Sequence, residues 1–383
     1  MRRVLMLNLI YLDFASSTPI HPEVLKTVTE MMPIHYANAE SLHQAGLTIH
    51  TMMEESRVSL SKALKVDAST LYFTSGATEA NNLLIKGIAL ANQSRGKHLI
   101  TSQVEHASVL ESFRDLETNF GFEVTYLPVN QKGYVEPSIL EENLRADTSL
   151  VSLMAVNNET GAIFETQLYA RLIHEKTNAF FHVDAVQALA KIEFTLEGID
   201  AASFSAHKIQ GVKGSGLMYL KEGIRFQPLI TGGQQEKGYR PGTANAIGHI
   251  VFAKTLRLAL ELHHAKESEI RRINTYCRSC LAELESIKIN SDRDGSPYIL
   301  NISSLNLPSQ VMLNHLSQKG ICISAAATCS SRSFKPSHVL TAMHLNEHEL
   351  EGVLRLSFGY TTTQSDIDAF IDAFKDGVKR YGK

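Results

Sequence analysis

The chain has 383 residues, 44% of them hydrophobic and 20% charged, with a formal net charge of −3. That length exceeds what one compact core holds, so two domains are expected, and the near-neutral balance gives no electrostatic ground for binding nucleic acid or a membrane surface. Four cysteines are too few for a disulfide framework in a chain this long, which points to a reducing, cytoplasmic setting.

Arg2 and Arg3 precede an apolar run over residues 4–12 that imitates a signal peptide. Asn8 interrupts that run, and Asp13 and the turn-like Ser16-Ser17-Thr18-Pro19 follow it without a small-residue cleavage site, so no leader is expected. Strand-length apolar runs recur at 71–74, 98–102, 122–127, 150–156, 179–183, 200–204 and 216–220, and the segments between them suit helices at 78–92, 105–118 and 165–177. Such alternation predicts an α/β fold with a largely parallel, buried sheet whose ligands collect beyond the strand ends. From about residue 248 the pattern changes to a long amphipathic helix over 250–284, strand 298–303, helix 308–319, strand 320–324, helix 347–351, strand 353–358 and helix 364–380. This tail reads as a smaller α+β domain, and the irregular stretches 231–245 and 325–337 are candidate functional loops.

Several segments carry chemistry. Thr74 to Asn82 joins a strand end, a glycine turn and a helix start at Gly76-Ala77-Thr78. Free N–H groups and the macrodipole favour a phosphate there, although the same residues also cap helices with no ligand. His106, after Glu105, is placed to stack on an aromatic ring, or is simply structural, and Asn157-Asn158-Glu159-Thr160-Gly161 reads in isolation as a polar turn. Asp184 ends an apolar run just before Ala185-Val186-Gln187; it either caps a helix or meets a cation such as a protonated ring nitrogen. In Ser205-Ala206-His207-Lys208, followed by Gly211, Gly214 and Gly216, the lysine is a Schiff-base candidate or a surface residue. Cys329, in the small-residue run 324–331, is expected on an accessible loop and therefore reactive. Arg355, a charge inside an apolar strand, requires an anion, either a substrate carboxylate or a structural partner. Cys277 and Cys280 have C-x-x-C spacing inside a helical pattern and are read as core packing, and no metal site is expected.

In order and spacing these segments resemble the cysteine desulfurase family of class-V aminotransferase-like, fold-type-I pyridoxal-phosphate enzymes, from Tyr11 to about Ile371. The resemblance implies a large cofactor-binding domain over 17–255 with a mostly parallel seven-stranded sheet. Residues 1–16 and 256–383 then form the small domain that brings the cysteine loop and the substrate arginine. It implies Lys208 as the Schiff-base lysine, Asp184 at the pyridine nitrogen, His106 on the ring and as a proton relay, and Asn158 and Gln187 near the phenolic oxygen. The phosphate falls to Gly76, Ala77, Thr78, Ser205 and His207, and Thr243 of Gly238-Tyr239-Arg240-Pro241-Gly242-Thr243 reaches the neighbouring subunit, which implies a homodimer. Arg355, with Asn158, would hold the carboxylate of L-cysteine, and Cys329 would take its sulfur as a persulfide, releasing L-alanine. A protein acceptor in iron–sulfur cluster assembly or tRNA thiolation would then receive that sulfur. A selenocysteine lyase or related enzyme using the same Lys208 and Asp184, and a non-catalytic sulfur-carrier scaffold, remain the alternatives.

Overall fold

The computed structural model describes residues 9–325, 328–330 and 333–382, with side chains for 9–325 and 336–382. A two-residue strand, β1 (Ile10–Tyr11), opens the described chain. The centre is a seven-stranded sheet of β2 (Leu71–Thr74), β3 (His98–Ser102), β4 (Glu123–Leu127), β5 (Thr148–Ser152), β6 (Phe180–Asp184), β7 (Ala201–Ser205) and β8 (Gly216–Leu220), ordered β2-β8-β7-β6-β5-β3-β4. β8 pairs antiparallel with β2 and β7, and the other pairings are parallel.

Strand side chains alternate between two faces, and helices cover both, so the strands read as unbroken apolar runs. Ile100, Val151, Ala202 and Leu217 point into one core, while their neighbours Leu99, Leu150, Ala201 and Met218 point into another with Leu84 and Phe113. The expected strand 150–156 stops at Ser152. Beyond it the N–H groups of Leu153 and Ala155 still donate to the carbonyls of His182 and Asp184, so the chain continues beside β6 without a regular ladder.

A third core gathers Leu12, Ile273, Cys277, Leu300, Leu356, Phe370 and Phe374 around β9 (Ile287–Ile289), β10 (Ile299–Ser304) and β14 (Val353–Ser357), an antiparallel sheet ordered β14-β10-β9. β11 (Ile321–Cys322) pairs with β1 and is shorter than the expected strand 320–324. Within 325–337, expected to be irregular, the backbone of β12 (Thr328–Ser330) pairs antiparallel with β13 (Ser333–Lys335). The helix Ala246–Ala282, about 55 Å long, gives Phe252, Leu256 and Ala259 to the first core and Ile270, Ile273, Cys277 and Leu281 to the third. Two helices absent from the predicted elements, Pro22–Met31 and Gln44–Leu64, precede the sheet, and the second packs along Ala246–Ala282. Among the described residues no helix is long and apolar enough to cross a membrane.

Candidate active site

The C-terminal ends of β2, β3, β6 and β7 open on one edge of the sheet, where α/β folds present ligand-binding loops. A cavity of about 610 Å³ lies there, lined among others by Gly76, Ala77, Thr78, His106, Asn158, Asp184, Gln187, Ser205, His207, Lys208 and Arg355. Eleven positions scattered from 76 to 355 in the sequence therefore meet in one place. Thr243 is exposed and is not in this lining. The side chain of Cys329 lies outside the described residues; its backbone is the middle of β12, opposite Phe334.

Lys208 follows β7 in a short 3₁₀ turn, Ala206–Lys208. Its Nζ donates to the carbonyls of Ala15 and Ser16, each at 2.8 Å. Burial, and the Arg355 guanidinium beside it, pull the amine down to about 8 against the opposing pull of Asp184 and Asp13. An amine with that poise is available as a nucleophile near neutral pH. His207 is held lower, to about 4, by burial and by Lys208, Lys213 and Lys191, so it is a neutral imidazole in use.

Arg355 sits inside β14 and is 7% exposed. Its Nη2 donates to Asp13 Oδ1 at 2.9 Å and Ser16 Oγ at 2.6 Å, its Nη1 donates to the Asn158 carbonyl at 2.9 Å, and its Nε is buried without a partner. The guanidinium thus has the structural anion considered from sequence, Asp13, and still presents an unused donor. Asp13 and Ser16, and the carbonyls of Ala15 and Ser16, come from one segment, residues 13–16, which leads into the Ser16-Ser17-Thr18-Pro19 stretch read from sequence as turn-like.

Asp184 ends β6 and is 6% exposed. Its Oδ1 accepts from the Val186 N–H at 3.1 Å and its Oδ2 from Asn81 Nδ2 at 2.8 Å. Asn81 Nδ2 also donates to Ser108 Oγ at 2.9 Å. Ser108 in turn meets His106 twice, through its N–H at 3.2 Å and its Oγ at 2.8 Å, both at Nδ1. With Nδ1 occupied as an acceptor, a neutral His106 carries its proton on Nε2. Asn81, fully buried, and Ser108 are therefore the link between Asp184 and His106; Asn81 stands in the Thr74 to Asn82 segment, which was read for its phosphate turn, and Ser108 had no sequence signal beyond its helical position. Glu105, just before His106, is fully buried and pushed up to about 8 by burial, with Asp184 adding to the shift, although bonds from Ser102 and the Met154 N–H oppose it.

At the other end of the cavity the 15-residue helix Ala77–Ala91 starts at Gly76 with no side chain capping it, so its first N–H groups and positive dipole end are available to an anion. A Cβ on Gly216 would come within 2.5 Å of the Gly76 Cα, so only glycine at the start of β8 lets this turn lie against the sheet. Glu79 binds Arg240 at 2.6 Å, tying the motif that contains Thr243 to the helix start. Cys277 is fully buried and its thiol is pushed up by burial, in keeping with core packing.

The class-V aminotransferase profile matches residues 10–370. A protein named cysteine desulfurase IscS from Dictyoglomus turgidum is 37% identical over 375 residues, 97% of this chain and 95% of that protein. The solved structure of a NifS-like protein superposes with a TM-score of 0.91 at 34% identity, covering 97% of this chain and 99% of that one. A structure described as SspA in complex with cysteine is similar with a TM-score of 0.78 at 30% identity, covering 92% of this chain and 99% of that one.

Proposed function

The chain belongs to the class-V aminotransferases and, among them, to the cysteine desulfurases, and on that premise we propose that it removes sulfur from L-cysteine with pyridoxal 5'-phosphate held in the cavity beyond the sheet. The products are L-alanine and a persulfide on Cys329. The family depends on pyridoxal phosphate in general, and three features of this cavity fit that group: the Lys208 amine, a buried Asp184 carboxylate with no cation bonded to it among the described residues, and the uncapped helix start at Gly76. Their convergence in one cavity carries the reading.

The phosphate would be held by the N–H groups and hydroxyl of Gly76, Ala77 and Thr78, by Ser205 and His207, and by the partner subunit's Thr243 in a homodimer. Asp184 would hold the ring nitrogen in its charged form, His106 would cover the ring, and Asn158 and Gln187 would bond the phenolic oxygen. Bound through Lys208, pyridoxal phosphate supplies an electron sink that weakens the bonds at the substrate α-carbon. The Lys208 amine would act as the base that takes the α-proton and as the acid that returns it. Arg355 holds the substrate carboxylate with Asn158, through the Nη1 hydrogen left beyond its bond to the Asn158 carbonyl and by exchanging one of the Nη2 bonds to Asp13 and Ser16 for the substrate. The Cys329 thiolate attacks the substrate sulfur, the carbon–sulfur bond breaks, and the sulfur stays on Cys329. His106, with its proton on Nε2, would protonate the carbon fragment that leaves as alanine.

The division into 17–255 and 1–16 with 256–383 is part of the same proposal, supported by the separate core around Leu300 and Phe374. So is a cytoplasmic location, because persulfide chemistry needs a reducing compartment. The persulfide sulfur would pass to a protein acceptor for iron–sulfur cluster assembly or tRNA thiolation. Purified protein given pyridoxal phosphate, L-cysteine and a thiol reductant should release alanine and sulfide in equal amounts. Pyruvate and ammonia in place of alanine would overturn the assignment.

Arg355→Lys should raise KM for L-cysteine about 30-fold, equivalent to about 2 kcal/mol. A lysine ammonium cannot serve Asp13, Ser16, the Asn158 carbonyl and a substrate carboxylate together, whereas a guanidinium fork has five donors. An unchanged KM in steady-state assays would remove Arg355 from substrate binding.

A further inference from the structure

Lys191 lies four residues beyond Gln187 and is 8% exposed. Its Nζ donates to Gln187 Oε1 at 2.7 Å. The other end of that amide, Nε2, donates to the Ala15 carbonyl at 3.0 Å, the same oxygen that holds Lys208 Nζ. A carbonyl can only accept, so Ala15 fixes which end of the amide is nitrogen and leaves Oε1 to the lysine. Nε2 carries two hydrogens. With one on Ala15, the second is left for the cavity that Gln187 lines.

Nothing about the surroundings of Lys191 favours a lysine on packing grounds. It borders, with Lys208, a small void walled by Tyr298, Phe358 and Tyr360. Besides the tyrosines of that void, the titratable groups near it are Lys208, Arg355 and His207, and no carboxylate is among the charges that shift it. Burying an amine without a counter-ion is costly, and a methionine would fill the same space without that cost.

We propose that Lys191 is a positioning residue for the cofactor site, holding the Gln187 amide so that an N–H rather than the carbonyl faces the cavity. This rests on the reading of the cavity as a pyridoxal-phosphate site, where the group met by that N–H is the phenolic oxygen. Burial, Lys208 and Arg355 pull the Lys191 amine well below the ordinary lysine range, to about 7, and its bond to Gln187 is the path by which it reaches the cavity.

The test is a spectrophotometric pH titration of the holoenzyme, following the absorbance of the Lys208-bound cofactor. Lys191→Met strands Oε1 in the interior and leaves the amide held at the Ala15 carbonyl alone, free to tilt about that one bond, so the phenolic oxygen loses a well-aimed donor to its charged form and the transition should rise by about one pH unit. Lys191→Arg keeps a donor and should titrate with the wild type. Gln187→Leu should move the transition as far as Lys191→Met does, and the double variant no further, because both remove one interaction. A transition unmoved in Lys191→Met, or shifts that add in the double variant, would overturn the proposal. Should Lys191→Met not fold, Lys191→Arg decides: titration with the wild type supports the role, and a shift as large as that of Gln187→Leu refutes it. Wild-type protein that takes up no cofactor would instead sink the pyridoxal reading itself.

Discussion

Lys208→Ala should give a protein that is colourless after incubation with pyridoxal phosphate and turns over L-cysteine at no more than roughly a thousandth of the wild-type rate. Lys191 is the other buried amine nearby, but its Nζ is bonded to Gln187 Oε1, away from the main cavity. Lys213 lines the cavity and is exposed, without the burial that makes the Lys208 amine nucleophilic at neutral pH. On the proposed reading, loss of Lys208 removes both the covalent anchor and the base at the substrate α-carbon. The check is borohydride reduction followed by peptide mapping: the wild type should carry the reduced cofactor on Lys208, and the variant on no lysine. An adduct on Lys191 or Lys213 with activity retained would reassign the anchor. The variant should fold normally, since its lost bonds, to the carbonyls of Ala15 and Ser16, face a cavity that water can fill.

Cys329→Ser separates the steps differently. Cofactor binding and substrate docking need no thiol, so the variant should keep its colour and its absorbance change on adding L-cysteine. It should release no alanine beyond a slow background, a loss of roughly a thousandfold, because a serine hydroxyl is a far poorer acceptor of sulfur than a thiolate. Wild-type protein treated with L-cysteine should gain one sulfur mass on the peptide containing Cys329, and prior alkylation should block it. Cys277 cannot substitute, being fully buried with a thiol pushed far up; Cys280 and Cys322 are half-buried and are the controls. Persulfide on either of those, or full desulfuration by Cys329→Ser, would discard the nucleophile and favour a lyase that expels the sulfur without a protein thiol.

The seven sheet strands were legible because strands covered on both faces are short, continuous apolar runs, and each was located within two residues at its start. The helices Pro22–Met31 and Gln44–Leu64 were missed although the first carries Val24, Leu25, Val28 and Met31 at helical spacing, and the second mixes its apolar residues with Thr, His and Ser. The second is held largely by its packing against Ala246–Ala282, a partner some 200 residues away. The same limit applies in the cavity. Residues whose own chemistry announces them, such as Lys208, Asp184 and His106, stood out by type and place. Asn81, Ser108, Asp13 and Lys191 act by what they touch, and Asn81 meets Asp184 from 103 positions away. Arg355 shows a middle case: the need for an anion was legible, but Asp13 as its partner, 342 positions earlier, was not.

That pairing also has a bearing on how the protein comes into being. Residues 13–16 leave the ribosome early, yet the guanidinium that Asp13 and Ser16 hold is made only near the end of synthesis. At about 5–20 residues per second, Asp13 waits some 20–70 s for Arg355. During that interval the sheet, complete by Leu220, can fold and Lys208 can find the Ala15 and Ser16 carbonyls. If Arg355 holds the substrate carboxylate as proposed, that contact forms only when its strand is threaded beside β10. On the same reading a nascent chain would acquire the surroundings of its cofactor lysine well before it could release reactive sulfur, the last strand made marking the change from one condition to the other.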